Sequence, residues 1–157
     1  MTSLTTPITN QSPQQSMISK ATQFVVPLAN KPGTLAKLCT ILAGAQVNII
    51  GVFVPETKGT AQAARIMVVD VAGARAALRK AKIRFSEEEV LDVELDNRPG
   101  AFAEFAWKLA QRKINITHAY ATTAPFARAR VVVAVSNIKK ALAALKQKNV
   151  WDLSPPK

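Results

Sequence analysis

A single cysteine and a single histidine in 157 residues leave little material for thiol, metal or nucleophile chemistry. Cys39, being alone, forms no intrachain disulfide, which fits a reducing compartment. No nucleophile has a base beside it in the pattern, no acid and base are paired, and no ligand set has metal spacing. An enzyme, a metal site and a cofactor are therefore not expected. Glu87, Glu88 and Glu89 sit consecutively on a connector between strands, where their side chains diverge into solvent. No apolar run approaches the ~20 residues of a membrane span. The N-terminal segment has neither the basic nor the apolar region of a secretory signal, and no arginine stands within its first 21 residues. Export and an organellar address are thus not expected, and a cytoplasmic location is.

What the chain does have is apolar residues, 48% hydrophobic against 20% charged, enough for a core and too many for disorder throughout. The stretch NKPGTLAKLCTILAGAQVNI, Asn30 to Ile49, returns as NRPGAFAEFAWKLAQRKINI, Asn97 to Ile116. The offset is 67 throughout (97 − 30, 115 − 48), with nothing gained or lost inside the stretch. That period suits a small domain better than a solenoid unit. Small units bury little surface alone and gain by packing on each other. The expected division is a disordered Ser-, Thr-, Gln- and Pro-rich tail over 1–21, a first domain over 22–86 and a second over 87–157.

Hydrophobic periodicity gives each unit the order βαββαβ. In the first, a strand over Gln23 to Leu28 leads through the turn Asn30-Lys31-Pro32-Gly33 into a helix. Its stripe is Leu35, Leu38, Cys39 and Leu42, and Gly44 closes it. Strands over Val47 to Val54 and Ala64 to Val71, a helix near Ala74 to Ala81 and a strand from about Ile83 follow. In the second unit the strands are Val90 to Leu95, Ile114 to Thr122 and Arg128 to Val135, with a last one near Val150. One helix carries Phe102, Phe105, Ala106 and Leu109 on its stripe, and the other spans Ile138 to Lys146. Cys39 matches Ala106 in the repeat, so it is expected as a small core residue and not as a reactive thiol.

Asn-[Lys/Arg]-Pro-Gly between a strand and an amphipathic helix has a physical meaning. Proline presets a helical φ, and glycine admits a close approach. The first free amides of the helix face solvent with the positive end of the dipole behind them, a seat for a carboxylate. Asparagine offers donor and acceptor together, so it can hold carboxylate and ammonium at once. With these turns duplicated, each followed by Asn-Ile at the next strand, the chain resembles tandem ACT-domain proteins, the stand-alone amino-acid-binding kind, from about Ala21 to Leu153. The resemblance implies an α+β fold of two ferredoxin-like units and a free amino acid bound between them. It carries ligand contacts onto Asn30, Pro32, Gly33, Thr34 and Asn48, and onto Asn97, Pro99, Gly100, Ala101 and Asn115. Serine-binding relatives have a His two residues before the turn Asn; Leu28 and Leu95 stand there in this chain.

In a right-handed β-α-β unit the two strands are parallel, so Asn30 and Asn48 fall at opposite ends of one sheet, ~15 Å or more apart at ~3.3 Å per residue. One ligand cannot touch both. Pairing of the units about a pseudo-twofold axis, edge to edge through their second strands, would instead join Asn30 with Asn115 and Asn97 with Asn48. It would also cover the apolar edge VNIIGVFV. Asp96, where the first unit has Ala29, adds an acceptor for an ammonium group, and His118, in place of Gly51, is a candidate contact. A homodimer or a regulated enzyme is the expected partner.

The net charge of +11 raises nucleic acid as an alternative partner. Many of the cations lie on the second helix of each unit and its exit, where an ordinary solvated outer face also places them. The RNA-recognition motif shares the βαββαβ order but stacks bases on strand aromatics, and the third strands ARIMVVDV and RARVVVAV have none.

Overall fold

A computed structural model of the chain describes residues 17–59, 61–122 and 128–146. The strand expected near Val150 and most of the N-terminal tail lie outside the described residues. Ten elements follow one another: β1 (Met17–Ala29), α1 (Thr34–Gly44), β2 (Ile49–Phe53), β3 (Ala61–Val68), α2 (Val71–Lys80), β4 (Ser86–Leu95), α3 (Ala101–Gln111), β5 (Ile116–Thr122), β6 (Ala129–Val135) and α4 (Ile138–Lys146).

The strands form one antiparallel sheet in the order β2-β3-β1-β4-β6-β5. The centre is the ladder of β1 on β4, from Met17 opposite Glu94 to Val25 opposite Ser86. Pairing of the two halves through their second strands does not occur: β2 and β5 are the outermost strands. The reason lies in two misplaced boundaries. Met17 to Ala21, expected in the tail, form the first part of β1 and supply half of that ladder. The strands expected from Ile83 and at Val90 to Leu95 are one element, since Ile83 to Phe85 only lead into β4. β4 thus takes the fourth-strand place beside β1 in the first unit while opening the second, and β1 does the same for the second unit.

The helices cover one face. Phe24, Val26, Leu38, Leu42, Ile66 and Leu78 fill the core of the first half, and Leu91, Val93, Phe105, Leu109, Ile114 and Val133 that of the second. The expected stripes hold in part: Leu38, Leu42, Phe105 and Leu109 are buried. Phe102 is 41% exposed, its inward place taken by Ala101, and Leu35, Cys39 and Ala106 are only half-buried.

The other face is concave. Flat, five strand spacings of ~4.8 Å would set β2 and β5 ~24 Å apart. Yet the ring of Phe53 on β2 stacks at 5.6 Å on Tyr120 and 6.0 Å on His118, both on β5. The sheet therefore curls until its edges meet by side chains. Met67, Val90, Val132 and Ala134 fill the hollow.

Candidate functional site

Each Pro-Gly turn ends on a glycine in the left-handed region, Gly33 at φ 88° and Gly100 at φ 85°. Both occupy the N-cap, and neither helix has a side-chain cap, so the first-turn amides of α1 and α3 have no side-chain acceptor there. In the first turn Asn30 is exposed, and the Thr34 hydroxyl donates to the carbonyls of Ala29 (2.8 Å) and Lys31 (3.1 Å).

The second turn borders a cavity of about 320 Å³. Asp96, Asn97 and Arg98 form its polar rim, and Phe102 with Ala119 and Ala121 of β5 and Ala129 and Val131 of β6 form its largely apolar walls. Arg98 is fixed by Glu104, Nη1 to Oε1 at 2.9 Å and Nη2 to Oε2 at 2.6 Å. The same bond holds the Glu104 carboxyl below its ordinary range. Asp96 meets Arg128 at 3.3 Å and Arg98 at 3.9 Å, so its carboxylate already has two cations beside it.

The remaining expected contacts lie elsewhere. Register puts Asn48 at the sheet end that carries the second turn, and Asn115 at the end that carries the first. Their carbonyls accept from Val69 (3.0 Å) and Ser136 (2.9 Å). Neither residue lines the cavity, and neither does His118.

His118 belongs to a half-buried cluster on the concave face, built around the fully buried Gln23. The Gln23 amide nitrogen donates to Glu88 (2.7 Å) and lies 2.9 Å from His118 Nε2, while its oxygen accepts from the Tyr120 hydroxyl (2.9 Å). With both amide hydrogens used in this way, His118 Nε2 is the acceptor, which requires a neutral ring. Burial, together with Arg65, lowers the His118 pKa, with Glu88 opposing. Burial pushes the Tyr120 phenol up to about 12. Sequence reasoning missed Phe102 as a wall, Arg128 as the partner of Asp96, and the Gln23 cluster. The one signal for the cluster is Gln23 itself, whose counterpart in the repeat is Val90. Among the described residues no group of side chains has the composition of a metal site.

A family model described as an ACT domain pair matches residues 19–150. The chain belongs to that family. ACT domains are regulatory, amino-acid-binding and not catalytic, and the pair explains why two halves share one sheet. This ACT pair is similar to protein BT0572 from Bacteroides thetaiotaomicron, at 26% identity and a TM-score of 0.75, covering 84% of this chain and 89% of that one. The regulatory subunit of aspartate kinase from Thermus thermophilus, in its ligand-free form, shares the fold at 18% identity and a TM-score of 0.59, covering 83% and 93%. Aspartate kinase from Synechocystis does so at 21% and 0.54, with 83% of this chain over 25% of that one. No curated protein matches the chain. Among the described residues no helix is long and apolar enough to cross a membrane.

Proposed function

We propose that this ACT pair senses a free amino acid with an apolar side chain, bound at the second turn, and has no chemistry of its own. The supporting observation is the cavity of about 320 Å³ that opens beside Asp96, Asn97 and the uncapped start of α3. The α3 amides and Asn97 take the carboxylate, and Asp96 takes the ammonium group. Ala119, Ala121, Ala129 and Phe102 leave room for an apolar side chain and offer it no polar partner. Pro99 and Gly100 shape the turn. The first turn, with Asn30, Pro32, Gly33 and Thr34, is the corresponding weaker seat, and Asn48, Asn115 and His118 contact ligand only where another copy brings them in. The signal passes to a second copy or to a regulated enzyme in the cytoplasm.

A thermal-shift screen of the twenty amino acids tests this. A ligand at ~100 times its dissociation constant adds about 2.7 kcal/mol if it binds only the native state. Leucine-like and valine-like side chains are expected to shift the melt, and Asn97→Ala is expected to remove the shift. No response to any amino acid would overturn the reading.

A further inference from the structure

The strand directions give the sheet two ends of unlike charge. β1 ends at the Ala29 end, where β4 and β5 begin; α2 and α3 run toward that end and α4 starts from it. Arg79, Lys80, Lys82 and Arg84 leave α2 there, and all four are exposed. Lys139 and Lys140, also exposed, open α4 there, and Lys113 follows α3 to the same end. None of these seven enters an ion pair among the described residues.

Apart from Glu56, exposed just past β2 at this same end, and Asp70, which caps α2, the acidic residues among those described are occupied by cations. On β4, Glu87 pairs with Arg75, Glu88 with Arg65, Glu89 with Lys20 and Asp92 with Arg130. Asp96 and Glu104 are engaged at the opposite, Leu95 end. Helices α1, α2 and α4 contain no acidic residue. The helix dipole explains cations at the exit of α2, but at the start of α4 it opposes them. Lys139 and Lys140 are therefore held against local electrostatics and beside other unpaired cations.

We propose that this end of the molecule docks on the phosphate backbone of a nucleic acid. Of the large exposed apolar residues, Met17, Val69 and Phe102 sit at the Leu95 end, while Val52 and Trp107 lie inside β2 and α3, so none belongs to the segments that carry the seven cations. The concave sheet face is filled by Met67, Val90 and Val132, so bases have no platform to stack on. Contact is therefore to phosphates, without sequence preference. The surface lies at the end opposite the Asp96 turn and is independent of amino-acid binding there.

Fluorescence anisotropy with a short labelled duplex DNA of mixed sequence, titrated over salt, tests the proposal on the full chain. The logarithm of affinity should fall linearly with the logarithm of salt, with a slope near −0.9 per phosphate contact. Lys80→Glu and Lys139→Glu should each weaken binding severalfold and flatten the slope by about one contact. Lys146→Glu, the same charge change at the far end of α4, should leave both within about twofold; circular dichroism confirms that all three variants fold. Absence of binding at low salt overturns the proposal, as does an equal loss with Lys146→Glu, which would make net charge the only cause. Binding to phosphatidylglycerol vesicles without binding to the duplex overturns it in favour of a lipid surface.

Discussion

Three non-glycine residues, Gln46, Lys82 and Lys113, have φ of 56–58°. Each follows a helix end, and the next amide returns to the last turn: Val47 to Leu42 at 3.0 Å, Ile83 to Leu78 at 2.9 Å and Ile114 to Leu109 at 3.0 Å. That is the bond pattern of a glycine-type helix stop, held by a residue with a Cβ. Gly44 is the last residue of α1, as the sequence indicated, but the left-handed angle falls two residues on, at Gln46. Gln46→Gly should relieve ~1–2 kcal/mol of left-handed strain and lose ~0.4–1 through a freer unfolded chain, for a net gain of up to about 1 kcal/mol in urea unfolding. Gly33→Ala should go the other way by ~1–2 kcal/mol. Nothing lies within 4 Å of the added Cβ, so the backbone carries the whole loss. Tyr120 is the only tyrosine, so its tyrosinate absorbance isolates one group. In the native protein it should titrate near 12, and in denaturant near the ordinary 10.0.

At the scale of elements, Gln23 ties strands that the ladder leaves apart. Its amide on β1 holds Glu88 of β4 and two side chains of β5, and the β5 rings in turn cover Phe53 of β2. Gln23→Val, copying Val90 from the other half, would leave the Tyr120 hydroxyl and Glu88 short of a partner and should cost ~1–3 kcal/mol. His118 makes the same contact pH-dependent. Its pKa is lowered on folding, so the stabilisation is fully present above the unfolded value of 6.5 and is lost as pH falls below it. Denaturant unfolding between pH 7 and 5 should fall more steeply for the wild type than for His118→Gln, and with one histidine in the chain the difference belongs to that group. The helices and the turns were legible in the sequence because an apolar stripe and a Pro-Gly dipeptide are local signals. The joining of the halves was not. The β1 half-strand Met17 to Ala21 is polar enough to resemble a tail, and only its cross-chain partners on β4 make it a strand. The cavity was half legible: Asp96 and Asn97 stand in the turn, while its walls come from β5 and β6, which alternation alone cannot aim.

For the whole molecule, the sharing of β1 and β4 decides how it unfolds. In a pair of self-sufficient domains each core could melt alone. Here Ile18 of β1 packs into the core of the second half, and Phe85, just ahead of β4, packs on that of the first. Removing residues 86–157 would strip β1 of its central ladder and leave an open apolar edge, and residues 86–157 alone would lose β1 in the same way. Neither fragment should show a cooperative melt by circular dichroism, whereas mixing the two should restore one. The intact chain should unfold in a single transition that is the same by tryptophan fluorescence, from Trp107 among others, and by far-ultraviolet ellipticity. Two separated transitions would mean that each half completes its own sheet, and that the central β1 to β4 ladder is a contact and not a shared strand pair. A single transition has a consequence for signalling: a ligand that steadies the Asp96 turn at the end of β4 then steadies β1 and the first half with it.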